Sequence, residues 1–251
     1  MSAHNRGLRA LMKGALRMVY PPQCLCCSDP VAEEGALCPA CWGQAQFITG
    51  ACCQRCAVPL PGDDDDDSAV LLCDDCLRVP RPWLRARAAL VYRDTGRKLA
   101  LMLKHGDRLD LAPALGDWVA RAATPLIRPD MLVVPVPLHP RRLAKRKYNQ
   151  AAVLAQRVAQ VHGLTHLPHA LRRTRHTPMQ DHAGSDERFA NLHGALAVTP
   201  RFAGRVQGRA VLLVDDVMAS GATLSTAAEV LRQAGSGPIS VVMLARAVKD
   251  T

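Results

Sequence analysis

The stretch Arg209-Ala-Val-Leu-Leu-Val-Asp-Asp-Val-Met-Ala-Ser-Gly-Ala-Thr223 decides the fold. Val211 to Val214 is a short apolar run that suits a strand buried on both faces of a parallel sheet. Asp215 and Asp216 follow, where the strand's carboxyl end meets solvent. A small-residue loop, Ala219-Ser220-Gly221-Ala222, comes next, and Thr223 reads as the N-cap of a helix over Leu224–Ala234 with Gly235 as its stop. Ligands of open α/β sheets bind at the carboxyl ends of strands, and the free amides of a helix N-terminus favour an anion such as phosphate. Two carboxylates would repel a bare phosphate, so they are expected to hold hydroxyls or to share a magnesium ion with it. The plainer alternative is a βα turn with solvated acids. The chain has no Gly-x-x-x-x-Gly-Lys-Ser/Thr, which sets aside a P-loop ATPase.

This order of features resembles the phosphoribosyl-pyrophosphate (PRPP) motif of type I phosphoribosyltransferases. The resemblance implies that Asp215 and Asp216 hold ribose hydroxyls. It implies that Ala219, Ser220, Gly221, Ala222 and Thr223 hold the 5′-phosphate, with Mg²⁺ accompanying PRPP. The family usually has Thr where this chain has Ala219, so a hydroxyl donor is replaced by backbone donors alone.

The 251 residues suffice for two domains or one large one, and a hydrophobic content of 49% supports a sizeable core. No run of about 18 apolar residues occurs, so no membrane span is expected. Residues 1–22 read as an amphipathic helix, with Leu8, Leu11, Met12, Ala15, Leu16 and Val19 at helical spacing among basic residues. They lack the long apolar segment of a secretory signal, so a cytoplasmic location is expected. The net charge of +10 is unevenly placed: residues 81–251 carry 26 Lys and Arg against 12 Asp and Glu, whereas residues 1–80 carry 6 against 10. A basic C-terminal part points to a polyanionic partner.

All ten cysteines lie between positions 24 and 76. Eight of them form C-x-x-C pairs: Cys24 with Cys27, Cys38 with Cys41, Cys53 with Cys56, and Cys73 with Cys76. Each pair places two thiolates on one side of a tight turn, and two pairs complete a tetrahedral zinc shell. Two structural Zn²⁺ ions are expected. The pairs can be used sequentially or interleaved, and spacing alone does not choose. A thioredoxin-like context for redox chemistry is absent, and a disulfide framework would need an oxidising compartment. Few large apolar side chains fall in this region, so metal binding, on the order of 10–16 kcal/mol in small domains, would carry much of its folding. The run Asp63–Asp67 reads as a solvated loop.

The domain reading is a double zinc-ribbon domain over 23–80, with Pro80-Arg81-Pro82 as linker, and an α/β domain over 83–251. Within the latter, Ala88–Tyr92 reads as a strand, Arg97–His105 as a helix, and Leu109–Ala123 as a second helix. Met131–Val136 and Pro238–Arg246 are further buried strands. His139–Lys147 reads as a basic loop, and a helix follows from Tyr148 to about His162, stopped by Gly163. The loop's Arg141, Arg142, Lys145, Arg146 and Lys147 form the densest basic patch, placed beyond a strand's carboxyl end where phosphate or nucleic acid would be met.

The whole order, from about Cys24 to Arg246, resembles the ComF/GntX-like family, a phosphoribosyltransferase-like branch linked to DNA uptake and use. That family carries Arg-Gly-Phe-Asn-Gln after a Val-Pro-Val-Pro strand. Here Val134-Pro135-Val136-Pro137 is followed by Arg146-Lys147-Tyr148-Asn149-Gln150, with Lys147 in place of glycine. Arg175, Thr177, Gln180, Arg188, Asn191 and Lys104 match further family positions. The resemblance implies a type I phosphoribosyltransferase-like parallel sheet flanked by helices. It implies pyrophosphate or DNA contacts from Lys104, Arg141, Arg142, Arg146, Lys147, Asn149 and Gln150, and from Arg175, Thr177, Gln180, Arg188 and Asn191. Arg172, Arg173 and Arg175 read as an extension of the basic surface or as a mobile loop over a ligand.

Single-stranded DNA and proteins of the DNA-uptake machinery are the partners so implied, beside PRPP. With an aromatic content of 4%, base stacking would fall to few residues, Tyr148 and Trp83 first. The competing reading is an active phosphoribosyltransferase using PRPP and Mg²⁺, for which the sequence offers no recognisable acceptor pocket or general base.

Overall fold

The computed structural model describes residues 20–62, 70–105, 108–175 and 194–248. The helix expected over 1–22 falls almost wholly outside these residues, as do Thr177, Gln180, Arg188 and Asn191. Two short helices, α1 (Pro39–Gly43) and α2 (Asp74–Arg78), each begin directly after a cysteine, Cys38 or Cys73. The α/β part then runs through β1 (Arg85–Val91), α3 (Asp94–His105), α4 (Ala112–Ala123) and β2 (Leu132–Pro135). It continues through α5 (Pro140–Arg146), α6 (Gln150–His162), β3 (Thr165–His166), β4 (Leu171–Arg173) and β5 (Leu196–Val198). It closes with α7 (Ala203–Val206), β6 (Val211–Met218), α8 (Ala222–Gln233) and β7 (Ile239–Arg246).

Five strands form one parallel sheet in the order β1-β7-β6-β2-β3, while β4 and β5 pair as an antiparallel ribbon. Strand alternation divides the core. Val211 and Leu213 of β6 join Leu224, Ala227, Ala228 and Leu231 of α8 on one face. Leu212 and Val214 join Leu99 and Leu103 of α3, Leu115 and Val119 of α4, and Leu154 and Val158 of α6 on the other. Both faces are covered, which is why the central strands are apolar without alternation.

The cysteine-rich part is built onto this sheet. Phe47 pairs antiparallel with Leu90, Ile48 N–H donates to the Ala89 carbonyl at 3.0 Å, and Val91 N–H donates to the Gln46 carbonyl at 2.8 Å. The outer edge of β1 is therefore closed. Leu25 and Phe47 pack with the α4 and α6 core, while Cys53, Cys56, Ala57, Cys76 and Trp83 pack with the α8 core. The Pro80–Pro82 segment is anchored as well: Arg81 donates to the Ser220 carbonyl at 2.9 Å.

Three local expectations are corrected. Strand β6 runs on through the acidic pair to Met218, because β7 supplies parallel partners as far as Arg246. Helix α8 begins at Ala222, ahead of Thr223, and its N-cap position is Gly221 at φ 83°, with no side-chain cap. A β-carbon at Gly221 would lie 2.7 Å from the Met218 methyl and 3.1 Å from the Arg81 guanidinium, so the turn requires glycine on two grounds. The basic segment is helical rather than a loop: the His139 ring caps it by accepting from Arg141 N–H at 3.2 Å, and Pro140 occupies its first turn.

Helix α5 ends at Lys147 in the left-handed region, φ 66°, where the resembling family has glycine. A non-glycine residue there costs about 1–2 kcal/mol, partly offset in glycine by the greater freedom of its unfolded chain. Lys147→Gly should therefore raise the unfolding free energy by about 1 kcal/mol in chemical denaturation. An unchanged or lowered value would show that Lys147's own contacts outweigh its backbone conformation.

Candidate functional site

A cleft opens at the carboxyl ends of β2 and β6. Asp215, Asp216 and Val217 of β6 line it, together with Val136, Pro137 and Leu138 after β2 and Thr223 in the first turn of α8. Its cations come from three other elements: Lys104 near the end of α3, Arg142 and Arg146 of α5, and Arg173 of β4. Asp215 accepts from Asp216 N–H at 2.9 Å, and Asp216 accepts from Val217 N–H at 2.7 Å, which fixes both carboxylates on the strand end.

Asn149 and Gln150 also border the cleft, yet much of their hydrogen-bonding capacity is spent on the scaffold. Asn149 caps α6 by accepting from Ala151 N–H at 3.1 Å and donates to the Val136 carbonyl at 2.9 Å. Gln150, buried, donates at 3.4 Å to the carbonyls of Leu103 and Lys104, and Tyr148 O–H donates to the Leu103 carbonyl at 2.5 Å. These contacts tie down the C-terminal turn of α3 and so place Lys104. Arg141, Lys147 and Arg175 are exposed and are not among the cleft-lining residues. Arg173 is the cleft residue the sequence left undistinguished within a basic run. The signal for it was its spacing of two from the buried Leu171 on a strand.

The cleft's charges are mismatched. Burial first, and the neighbouring Arg146 second, hold the Arg142 guanidinium below its ordinary range. Burial and then Arg142 do the same to Arg173, with Asp215 acting in the opposite sense. Burial, followed by the charge of Asp216, pushes the Asp215 carboxyl well above the usual carboxylate range, although Lys104 opposes this. Crowded cations beside a carboxyl that resists ionisation leave a net positive site, which a polyanion relieves.

The cysteines form two groups of four: Cys24, Cys27, Cys38 and Cys41, and Cys53, Cys56, Cys73 and Cys76, the sulfurs of each group lying within 4.8 Å of one another. The pairing is sequential. A tetrahedral zinc with bonds of about 2.3 Å has sulfur–sulfur edges of about 3.8 Å. Cys27–Cys38 at 3.5 Å and Cys56–Cys73 at 3.6 Å are close to that edge, and all ten cysteines are free of disulfides. Burial acts upward on the Cys24 thiol, but amides of Cys38, Cys27 and Cys26 bring it down to about 6. The donor set fits two structural zinc ions.

These features define a parallel α/β protein with an N-terminal double zinc ribbon. The double zinc ribbon domain family matches residues 15–77. The DNA utilization protein YhgH of Salmonella typhimurium is 30% identical over 236 residues, covering 91% of this chain and 99% of that protein. The chain belongs to that family, the ComF-like proteins. Competence protein F of Haemophilus influenzae is 37% identical over 117 residues, 46% of this chain and 50% of that protein. Among solved structures, the B. subtilis glutamine PRPP amidotransferase complexed with ADP and GMP matches with a TM-score of 0.39 at 18% identity, over 57% of this chain and 30% of that one.

Two predictions follow from this geometry. Metal analysis of the purified chain should give two zinc ions, and Cys56→Ser should reduce this to one and red-shift tryptophan emission as Trp83 loses its packing; retention of two ions would contradict the assignment. The second concerns pH. A carboxyl whose folded midpoint lies above its unfolded one stabilises the fold while protonated, and loses that contribution as pH rises through the folded midpoint. Asp216→Asn should lower the Asp215 midpoint, followed by carboxyl ¹³C shift, while burial keeps it above the ordinary range. A midpoint that does not move would show that the pair is uncoupled.

Proposed function

We propose that the cleft holds PRPP with Mg²⁺ and that the protein serves DNA utilisation in the cytoplasm by binding single-stranded DNA. The observation that carries the ligand reading is the meeting of Asp215 and Asp216 with Lys104, Arg142, Arg146 and Arg173 at a strand end that leads into a helix N-terminus. In this reading the carboxylates take the ribose hydroxyls. The amides of Ala219 to Thr223, with the Ser220 and Thr223 hydroxyls, take the 5′-phosphate, and the cations face the pyrophosphate. Magnesium, when bound, screens pyrophosphate charge. Residues 23–80 act as the zinc-ribbon unit and 83–251 as the phosphoribosyltransferase-like unit.

The DNA reading draws on the basic surface and on the names of the relatives, a DNA utilization protein and a competence protein. Its stacking residues differ from those expected. Trp83 is 2% exposed and its indole N–H donates to the Arg55 carbonyl, while Tyr148 is half-buried with its hydroxyl engaged. Among the described residues, Trp42, 58% exposed, and Tyr20, 75% exposed, are the aromatics open to a base. The exposed Arg141 and Lys147 suit the sugar-phosphate chain. A second reading, phosphoribosyl transfer, is favoured by one feature: Lys104, Arg142, Arg146 and Arg173 line the same cleft as the acidic pair, where they would stabilise pyrophosphate as its bond to the ribose carbon breaks and the acceptor's bond to that carbon forms.

Calorimetry of the zinc-loaded protein with PRPP and Mg²⁺ should show binding that the double variant Asp215→Asn, Asp216→Asn loses. Binding to single-stranded DNA should weaken steeply with salt, and Arg141→Ala with Lys147→Ala should make the log–log slope shallower by about one to two. Absence of PRPP binding in the parent contradicts the ligand reading, and salt-independent or absent DNA binding contradicts the DNA reading. Pyrophosphate release across a panel of nucleobases tests transfer.

A further inference from the structure

Two arginines connect the second cysteine centre to the loop after β6. Arg246, 7% exposed at the end of β7, donates from Nε to the Cys56 carbonyl at 2.9 Å. From Nη1 it donates to the carbonyls of Met218 at 3.1 Å and Ala219 at 2.8 Å. Arg81 lies at 5.9 Å over the ring of Trp83, which packs in one cluster with Cys53, Cys56 and Cys76, and it donates to the Ser220 carbonyl at 2.9 Å. Three consecutive loop carbonyls, those of Met218, Ala219 and Ser220, are thus held on the side of the cysteine centre.

A trans peptide is planar, with its N–H opposed to its C=O. Holding those carbonyls therefore turns the next amides, of Ala219, Ser220 and Gly221, to the opposite side. Charge adds to geometry. A zinc ion held by four thiolates carries a net charge of −2, and Arg246, bonded to the Cys56 carbonyl, and Arg81, stacked on the Trp83 ring beside this centre, offset it. If the metal leaves, both guanidiniums lose their counter-charge and their fixed anchor.

We propose that Arg81 and Arg246 are positioning residues that make anion binding by the Ala219–Gly221 amides depend on zinc in the Cys53/Cys56/Cys73/Cys76 centre. This rests on the phosphate-site reading above and adds a source of control to it: loss of the second zinc relaxes the loop and releases the phosphate. The first centre has no such bridge among the described residues. Coupling between two sites is reciprocal, so phosphate at the loop must in turn retain the second zinc.

The test uses the full zinc-loaded chain with ribose 5-phosphate as the probe. In the parent, saturating ribose 5-phosphate should slow chelator-driven loss of one of the two zinc ions several-fold and leave the other unchanged. Cys24→Ser, which removes the first centre, should keep the protected ion. Arg81→Gln should weaken ribose 5-phosphate binding about 10-fold, as expected for the loss of a charge-assisted hydrogen bond, and abolish the protection of zinc. Arg246→Lys, which keeps the charge but not the fork of donors, should give an intermediate effect. A merely structural arginine would lower the melting temperature without removing the ligand-dependent protection. If ribose 5-phosphate binds the parent but both variants bind it equally, or zinc loss is unaffected by ligand, the coupling is overturned and the phosphate site stands. If the parent does not bind it at all, the phosphate reading fails and the coupling with it.

Discussion

The parallel ladder between β6 and β7, from Val211 opposite Ile239 to Met218 opposite Arg246, is the constraint on which the rest depends. It carries β6 beyond its apolar run and holds two aspartates in extended backbone, side by side, at the rim of the sheet. It also sets Arg246 opposite Met218, within reach of the loop carbonyls. Alternation along β6 feeds both hydrophobic layers at once, so the acidic pair cannot shift register without turning Leu212 and Leu213 to the wrong faces. The precision of the site is inherited from the core.

The cysteine-rich part stands in the same frame. It closes the edge of β1 with the Gln46–Ile48 segment and contributes Trp83 and the Cys53–Cys56 knuckle to the α8 side of the core. A small region with few large side chains gathers its cysteines into two groups of four, and its Arg81 reaches across to the neighbouring loop of small residues at the Ser220 carbonyl. The small residues have their own reason. At Gly221 the chain turns left-handed against Met218 and Arg81, and any side chain would push the loop off its support.

Much of this was legible in the sequence. The apolar run before the acidic pair, the glycine stops at Gly163 and Gly235, and Asn149 at the start of α6 marked elements through ordinary capping and burial physics. The eight paired cysteines announced zinc, but spacing could not choose between sequential and interleaved shells. That choice is made in space, where the ligand atoms of each sequential set of four lie within 4.8 Å of one another. The helix at Pro140–Arg146 was hidden by its density of like charge, although His139 and Pro140 were start signals in plain sight. The length of β6 was hidden because aspartates disfavour strands, and only the ladder from β7 holds them there. Arg173, Arg81 and Arg246 act through hydrogen bonds 27 to 190 residues away in the chain or through a cleft shared by several elements, and no local pattern encodes such contacts.

The most direct measurement is a crystal structure of the zinc-loaded chain grown with PRPP and Mg²⁺. The account predicts ribose hydroxyls on Asp215 and Asp216, the 5′-phosphate on the amides following Met218, and pyrophosphate facing Lys104, Arg142, Arg146 and Arg173. PRPP held elsewhere on the protein, or an acidic pair turned away from the ligand, would contradict it.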